Sequence, residues 1–516
     1  MKNLCRRFSF LVFILLMGMS VRVFSQPSPS GPLVENFSME HYDKAILYDN
    51  ENEFVAYGSP TWVKLKKCTH SIISYNKEKH AVSKQDLVLS DDYKRLIAYA
   101  ADEDNYFVAY SRYPKSTVFE YSTAFIPKKC GANYQVTPKT KLSFNIDHNG
   151  YVMEYTAESP DHKKHAIVFV YINKQQKAEN FHFYVYDETG NEMFHKVLSP
   201  EIYGGSFSLE DLAVTNDGEA LLLMRTGTKN RQGLHNSAVH VLYCNEDGGQ
   251  SFVTPTDFGV IQSMRMLALK NGDYFVGGYY AEKSEEPTSG YFTCVLRKGQ
   301  EEFDAPKHYS LPANHRPKHE FMLMYMQKYY TYCAAMHELE DGEVVMIGEH
   351  RFIVVTTGQG TTYYHYADDI IYQHFNHDGE MTHTHLIAKN QARQFERGAS
   401  HVSPTWLTFD KLGLSFTSFV KGNSVYVLYQ DSQANFNKRD KTPAQLGTGR
   451  GKTCTVLARL DNDGPERQLV MVPGKVKRVL HNLWLFDVSN IYFGEASLKD
   501  YSIEHVSLDS MFQEEE

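Results

Sequence analysis

The chain has 516 residues, 62 of them acidic and 53 basic, for a formal net charge of −9. That balance excludes a general nucleic-acid binder, which needs a basic surface for its phosphate contacts. The length exceeds that of most single domains, but all-β propellers are permitted large single domains, so it does not force two.

The chain opens with Lys2, Arg6 and Arg7, continues with the apolar run Phe8 to Met17, and reaches Val-Phe-Ser just before Gln26. A positive start, an apolar core too short to span a bilayer and small residues before a cut predict a signal peptide over residues 1–25. Cys5 precedes the apolar run and is no lipobox cysteine, and no later stretch offers about 18 uninterrupted apolar residues. The expectation is an exported chain that starts at Gln26 and has no transmembrane segment. Residues 26–36 are expected as an N-terminal segment, residues 37–510 as a β-propeller and residues 511–516 as an acidic tail.

From there one element recurs: an alternating run, a polar turn, and a second run rich in Tyr, Val, Phe and Gly. It reads AILYDNENEFVAYG, LIAYAADEDNYFVAYS, KLSFNIDHNGYVMEYT, LAVTNDGEALLLM, MLALKNGDYFVGGYY, HELEDGEVVMIGE, SFVKGNSVYVLY and LWLFDVSNIYFGE. The turns centre near Asn52, Asp104, Asn149, Asp217, Asn271, Asp341, Gly422 and Ser489. Asn and Gly tolerate the positive φ that two-residue hairpins need, while the flanking β-branched and aromatic residues pack between sheets. Second turns follow in YDETGNEMF, CNEDGGQSF, NHDGEM and DNDGPERQL, which makes the unit four strands, a to d. Radial repetition of four-stranded antiparallel sheets protects strand edges, so the fold class is an all-β propeller of eight blades, with seven as the alternative. The last unit lacks a fourth strand, which PLVENFS near the N-terminus is expected to supply.

The c–d turn of the fourth unit, NEDGGQSF, resembles the Asp-box of sialidase-type propellers through Asn245, Asp247, Gly249, Ser251 and Phe252. Asx side chains commonly cap their own turns, so these five residues are read as architectural. Six cysteines follow Gln26, but Cys244, Cys294 and Cys454 sit in apolar β-runs that suit free buried thiols, and no disulfide framework is expected.

In a propeller the a–b and c–d turns share one face, and the b–c and d–a connections share the other, around the channel mouth. Long connections are expected on the second face over 310–332, 350–368, 388–411 and 430–452, where long loops tend to carry function. Residues 430–452 hold Lys438, Arg439, Lys441, Arg450 and Lys452 against Asp431 and Asp440, a net +3. Residues 388–411 hold Lys389, Arg393, Arg397 and Lys411 against Glu396 and Asp410, a net +2. A basic mouth laced with aromatics suits an anionic ligand such as an acidic glycan. Arg351, Tyr363, Tyr364, Arg393, Arg397, Trp406, Arg439 and Arg450 are the candidate ligand-binding residues.

In QHFNHDGEMTHTHL, a turn at Asp378 and Gly379 sets His374 opposite His383 with His385 on the same side, but no carboxylate completes a metal signature. A solvated edge is the favoured reading, and neither metal nor cofactor is expected. Ser111-Arg112-Tyr113-Pro114 is weakly similar to the arginine motif of sialidases. There is no nucleophile elbow, P-loop or HExxH.

Long stretches between residues 200 and 508, among them NGDYFVGGYYAEKSEEPTSGYF, YYHYADDIIYQHFNHDGEMTHTHLIAKNQ and FVKGNSVYVLYQD, resemble a group of exported β-propeller proteins from Bacteroidota. The resemblance implies a propeller in the cell envelope, periplasmic or associated with the outer membrane, and implies no catalytic residue. Two functions compete: a non-catalytic binding or scaffold module holding an acidic glycan or an envelope protein at the basic face, and a carbohydrate-active hydrolase or lyase acting on an acidic glycan.

Overall fold

The computed structural model describes residues 42–507, apart from 50–51, 61–68, 77–80, 91, 132, 176, 201–205, 231–232, 284–285, 316–325, 358–360, 396–415, 433–434, 436–452, 472–477, 488–489 and 497–500. The expected signal peptide, closing segment and acidic tail lie outside the described residues.

Eight sheets succeed one another along the described chain: residues 42–88, 94–145, 151–198, 206–255, 260–310, 326–395, 416–471 and 478–507. We number them 1 to 8. Within each, consecutive strands pair antiparallel in chain order. Sheets 2, 3, 4, 5 and 7 have four strands, sheet 8 has three, and sheets 1 and 6 each gain a fifth. The extra strand of sheet 1, Tyr134–Gln135, leaves the connection after Pro127 in sheet 2 and pairs parallel with Leu87 and Val88.

The first strands line the axis. Those of sheets 8 and 1, 1 and 2, 3 and 4, 4 and 5, 5 and 6, 6 and 7, and 7 and 8 lie against one another. Sheets 2 and 3 are joined by a shared core of Leu96, Phe107, Val152, Phe169 and Tyr184. The chain is a closed β-propeller.

Alternation along each strand puts apolar side chains on both sheet faces, and each interface between neighbouring sheets becomes its own core. Val168, Phe183, Leu212 and Leu222 fill the one between sheets 3 and 4. Leu221, Val241, Val276 and Phe292 fill the next, and Phe275, Tyr291, Met346 and Ile371 the one after it.

Two features of the turns differ from the sequence reading. Most are not two-residue hairpins. In Thr215–Glu219 the Thr215 amide donates to the Glu219 carbonyl and the Gly218 amide to the Thr215 carbonyl, with Gly218 at φ 89°. Leu269–Asp273, Leu339–Glu343, Asp187–Asn191 and Asn376–Glu380 repeat the pattern. This is a three-residue loop, a type I turn closed by a left-handed residue, which is why glycine recurs at its last position. The second correction concerns KLSFNIDHNGYVMEYT. Lys139–Asn145 is the fourth strand of sheet 2 and pairs with Val118–Pro127, while Tyr151–Glu158 opens sheet 3. The turn at Asn149 is therefore a connection between sheets rather than an a–b hairpin.

NEDGGQSF forms the c–d turn of sheet 4, joining Gly233–Cys244 to Gly249–Pro255. The Asn245 side chain accepts the amides of Asp247 and Gly248, so Asn245 ties this turn in the role the Asp-box gives to its Asp. Ser251 instead bonds His240 across the strand pair at 2.6 Å. Phe252 packs beside Tyr243, with ring centroids 6.3 Å apart. The cysteines Cys130, Cys244, Cys294, Cys333 and Cys454 are all free.

Candidate functional site

A line of charged and phenolic groups crosses the axis-lining first strands of sheets 4, 5 and 6. It begins at a β-bulge in Ser206–Val214, where register shifts between Leu209 and Asp211. A bulge re-aims side chains that would otherwise alternate, and here the adjacent acids Glu210 and Asp211 both reach basic partners. Glu210 meets Arg225 at 3.2 Å. Arg225 also donates to the carbonyls of Ile261 and Gln262. Asp211 accepts the Met266 amide at 3.1 Å and lies 3.8 Å from Arg265.

Arg265 donates to the Cys333 carbonyl and hydrogen bonds the Tyr332 hydroxyl. On the other side of Tyr332 lies Arg351, its guanidinium carbon 4.3 Å from the ring centroid. Arg351 pairs with Glu349 at 2.7 Å, and Glu349 with Lys389 at 2.5 Å. All three are fully buried. Lys389 further donates to Gln391, whose amide donates to the Gln430 carbonyl of sheet 7. Beside it, Asp431 accepts from Asn435 at 2.6 Å.

Burial sets the proton affinities in this line. It raises the carboxyls of Glu210 and Asp211, against the pull of Arg225 and Arg265. Burial likewise raises the Tyr332 phenol, opposed by Arg265 and Arg351. Asp431 is pushed up to about 6, chiefly by burial.

The sequence-predicted residues divide three ways. Arg351 is on this line but buried, committed to Glu349 and Tyr332, so it is no exposed anchor. Tyr363 and Tyr364 lie on the strand Thr361–Phe375, opposite Val355 and Val354. Residues 350–357 and 361–368 therefore pair as strands, where the sequence reading expected a loop, because near-continuous β-branched and aromatic residues on both arms favour pairing. Arg393 lies on Gln391–Phe395, opposite His365, in the fifth strand of sheet 6. Arg397, Trp406, Arg439 and Arg450 lie outside the described residues.

Glu210, Asp211, Arg225, Arg265 and Tyr332 escaped the sequence reading, which looked for charge in loops. Their signal was charge inside strands, the Glu-Asp of SFSLEDLAV and the Arg of VIQSMRMLA. Arg112 is no free clamp either: it opposes Glu120 in register and bonds it through Nε at 2.7 Å and Nη2 at 2.6 Å.

His374 faces His383 across the strand pair, with centroids 6.2 Å apart, and His374 lies 3.5 Å from Glu343. No group of three His, Cys, Asp or Glu among the described residues is set to hold a metal ion. No described helix is long and apolar enough to cross a membrane.

No protein-family model matches the chain, and no curated protein does. Among solved structures it is similar to the polysaccharide lyase Uly1, at 9% identity and TM-score 0.38 over 95% of this chain and 94% of that one. It is also similar to a protein of unknown function from Bacteroides caccae, at 10% identity and TM-score 0.27 over 65% and 93%. The β-propeller domain of the Trilobed protease from Pyrococcus furiosus matches at 10% identity and TM-score 0.30 over 66% and 95%. None of these similarities bears on what this chain binds or does.

Proposed function

We propose that the protein is a non-catalytic binding or scaffold protein of the cell envelope that holds an acidic glycan on the face carrying the b–c and d–a connections. One observation carries the reading. Among the described residues, the arginines of this line are spent on neighbouring groups, Arg225 with Glu210, Arg265 with Asp211, and Arg351 with Glu349 and Tyr332. A general acid or base must instead reach its substrate at hydrogen-bond distance. Paired charges give a rigid rim, and the net positive sequence of residues 430–452 supplies attraction for a polyanion.

Titration calorimetry against short oligogalacturonate, oligoalginate and chondroitin sulfate fragments, with maltohexaose as the neutral control, tests this. Binding of an acidic member that weakens with added salt is the expected result. Failure of every acidic member to bind contradicts the reading.

A second reading, a hydrolase or lyase acting on an acidic glycan, is favoured by Tyr332. Its hydroxyl is hydrogen bonded by Arg265 and its ring is stacked by Arg351, a setting in which a phenol can serve proton transfer beside a substrate carboxylate. Shortening of the same oligosaccharides on incubation distinguishes it.

A further inference from the structure

We propose that Tyr113 and Tyr151 form a sugar-stacking subsite on the rim over sheets 2 and 3, with Lys94 as the cation that meets the acid group of the glycan. The inference rests on the reading of the protein as a binder of acidic glycans and adds where the sugar sits.

Large hydrophobic side chains are few on the described surface, and Tyr113 and Tyr151 are two of them, 37% and 42% exposed. Both lie on the b–c and d–a face. Tyr113 is near the end of Asn105–Lys115, the second strand of sheet 2, and Tyr151 opens Tyr151–Glu158, the first strand of sheet 3. The connections here are short, residues 116–117 and 146–150.

The ring of Tyr113 is held in place. Tyr113 packs edge-on against Phe119, centroids 5.4 Å apart, and its hydroxyl accepts the Val152 amide at 3.4 Å. Val152 and Glu154 point toward sheet 2, Val152 into the shared core and Glu154 onto Lys94. By alternation Tyr151 points to the other side of the same strand. A glycan crossing the top of that strand meets one tyrosine on each side, and a fixed aromatic ring costs little entropy on binding.

Charge completes the match. Lys94 opposes Ser111, two residues before Tyr113. Its ammonium carries three donors, and the side chain is half exposed while bonded to Glu154. A carboxylate or sulfate reaching it makes a charge-assisted bond.

The test uses the full exported chain and the panel given above. Tyr113→Ala and Tyr151→Ala are each expected to weaken the acidic oligosaccharides at least tenfold. Tyr113→Phe and Tyr151→Phe, which keep the ring, are expected to bind as the unaltered protein does. Lys94→Met is expected to remove the preference for an oligogalacturonate over its carboxyl-reduced form. Circular dichroism and the melting temperature check that each variant folds, and the Phe variants preserve the packing if an Ala variant does not. If the unaltered protein binds an acidic oligosaccharide and the folded Tyr151→Ala variant binds it equally well, the subsite is overturned while the function stands. If no panel member binds the unaltered protein, the functional reading itself fails and the subsite with it.

Discussion

Arg351 stacks on Tyr332 while donating to Glu349, and Glu349 in turn accepts from Lys389, so one carboxylate holds two buried cations. Removing one partner of a buried pair leaves an uncompensated charge, which costs about 3–5 kcal/mol. Glu349→Ala strands two cations and is expected at the upper end of that range. Urea unfolding, compared at a fixed m-value, measures it.

Protonation of buried histidines in acid should destabilise the protein. Burial lowers the imidazoles of His70 and His374 to about 4. Their folded affinity for protons is below the unfolded one, so the stability they contribute is complete above pH 6.5 and is lost as pH falls through 4. Asp431 acts in the opposite sense. Its pKa is raised to about 6, so its contribution is complete below pH 3.8 and is lost as pH rises through 6. Glu210 and Asp211, also raised by burial, act with Asp431, so the share of His374 is read from His374→Gln, in which any fall of the melting temperature between pH 6.5 and pH 4 should be smaller than in the unaltered protein. In Asp431→Asn any fall should be steeper, because one opposing carboxyl is gone.

Sheets 5 and 6 are clasped at the opposite face by Arg297, which meets Asp273 at 3.1 Å, Asp304 at 3.3 Å and Asp378 at 2.5 Å. A planar guanidinium can serve three carboxylates at fixed angles, while an ammonium cannot hold that fork geometry. Arg297→Lys is expected to lower the melting temperature nearly as much as Arg297→Ala. Because the clasp is partly exposed, both losses should shrink in 1 M salt.

Two glycines give a paired test of backbone strain. Gly379 has φ 75°, and a Cβ there would come within 3.0 Å of Thr293 Oγ1, the hydroxyl that donates to the Gly379 carbonyl. Gly379→Ala should cost about 1–2 kcal/mol for the left-handed conformation alone. Gly248 has open space around its Cβ position and no positive φ, so Gly248→Ala should be close to neutral. Thermal unfolding of the two variants side by side gives the comparison.

The repeated sheets were legible because a period-two apolar pattern broken by Asn, Asp and Gly is a local signal. Leu212-Ala213-Val214 and Ala220-Leu221-Leu222 announce a strand pair without knowledge of anything distant. The third repeat misled for the same reason: Asn149-Gly150 is a turn in either setting, and only the partner of Lys139–Asn145 shows that the chain there passes between sheets. The line of charged groups was hardly legible. Glu210 meets Arg225, Asp211 meets Arg265, and Arg265 meets Tyr332, through a bulge and through contacts between sheets, neither of which leaves a mark on spacing. Arg351 was singled out for its charge, yet its partner Glu349 lies two residues away in the same strand and its other partner, Tyr332, across the sheet. Single-residue charge says nothing about whether a cation is already paired.

The most direct test of the central claim is to incubate the purified protein with oligogalacturonate, oligoalginate and chondroitin sulfate fragments and to measure, in the same samples, the bound fraction and the chain-length distribution. The account predicts binding of an acidic fragment with its length unchanged. Shortened chains, or the absence of binding to every acidic fragment, would contradict it.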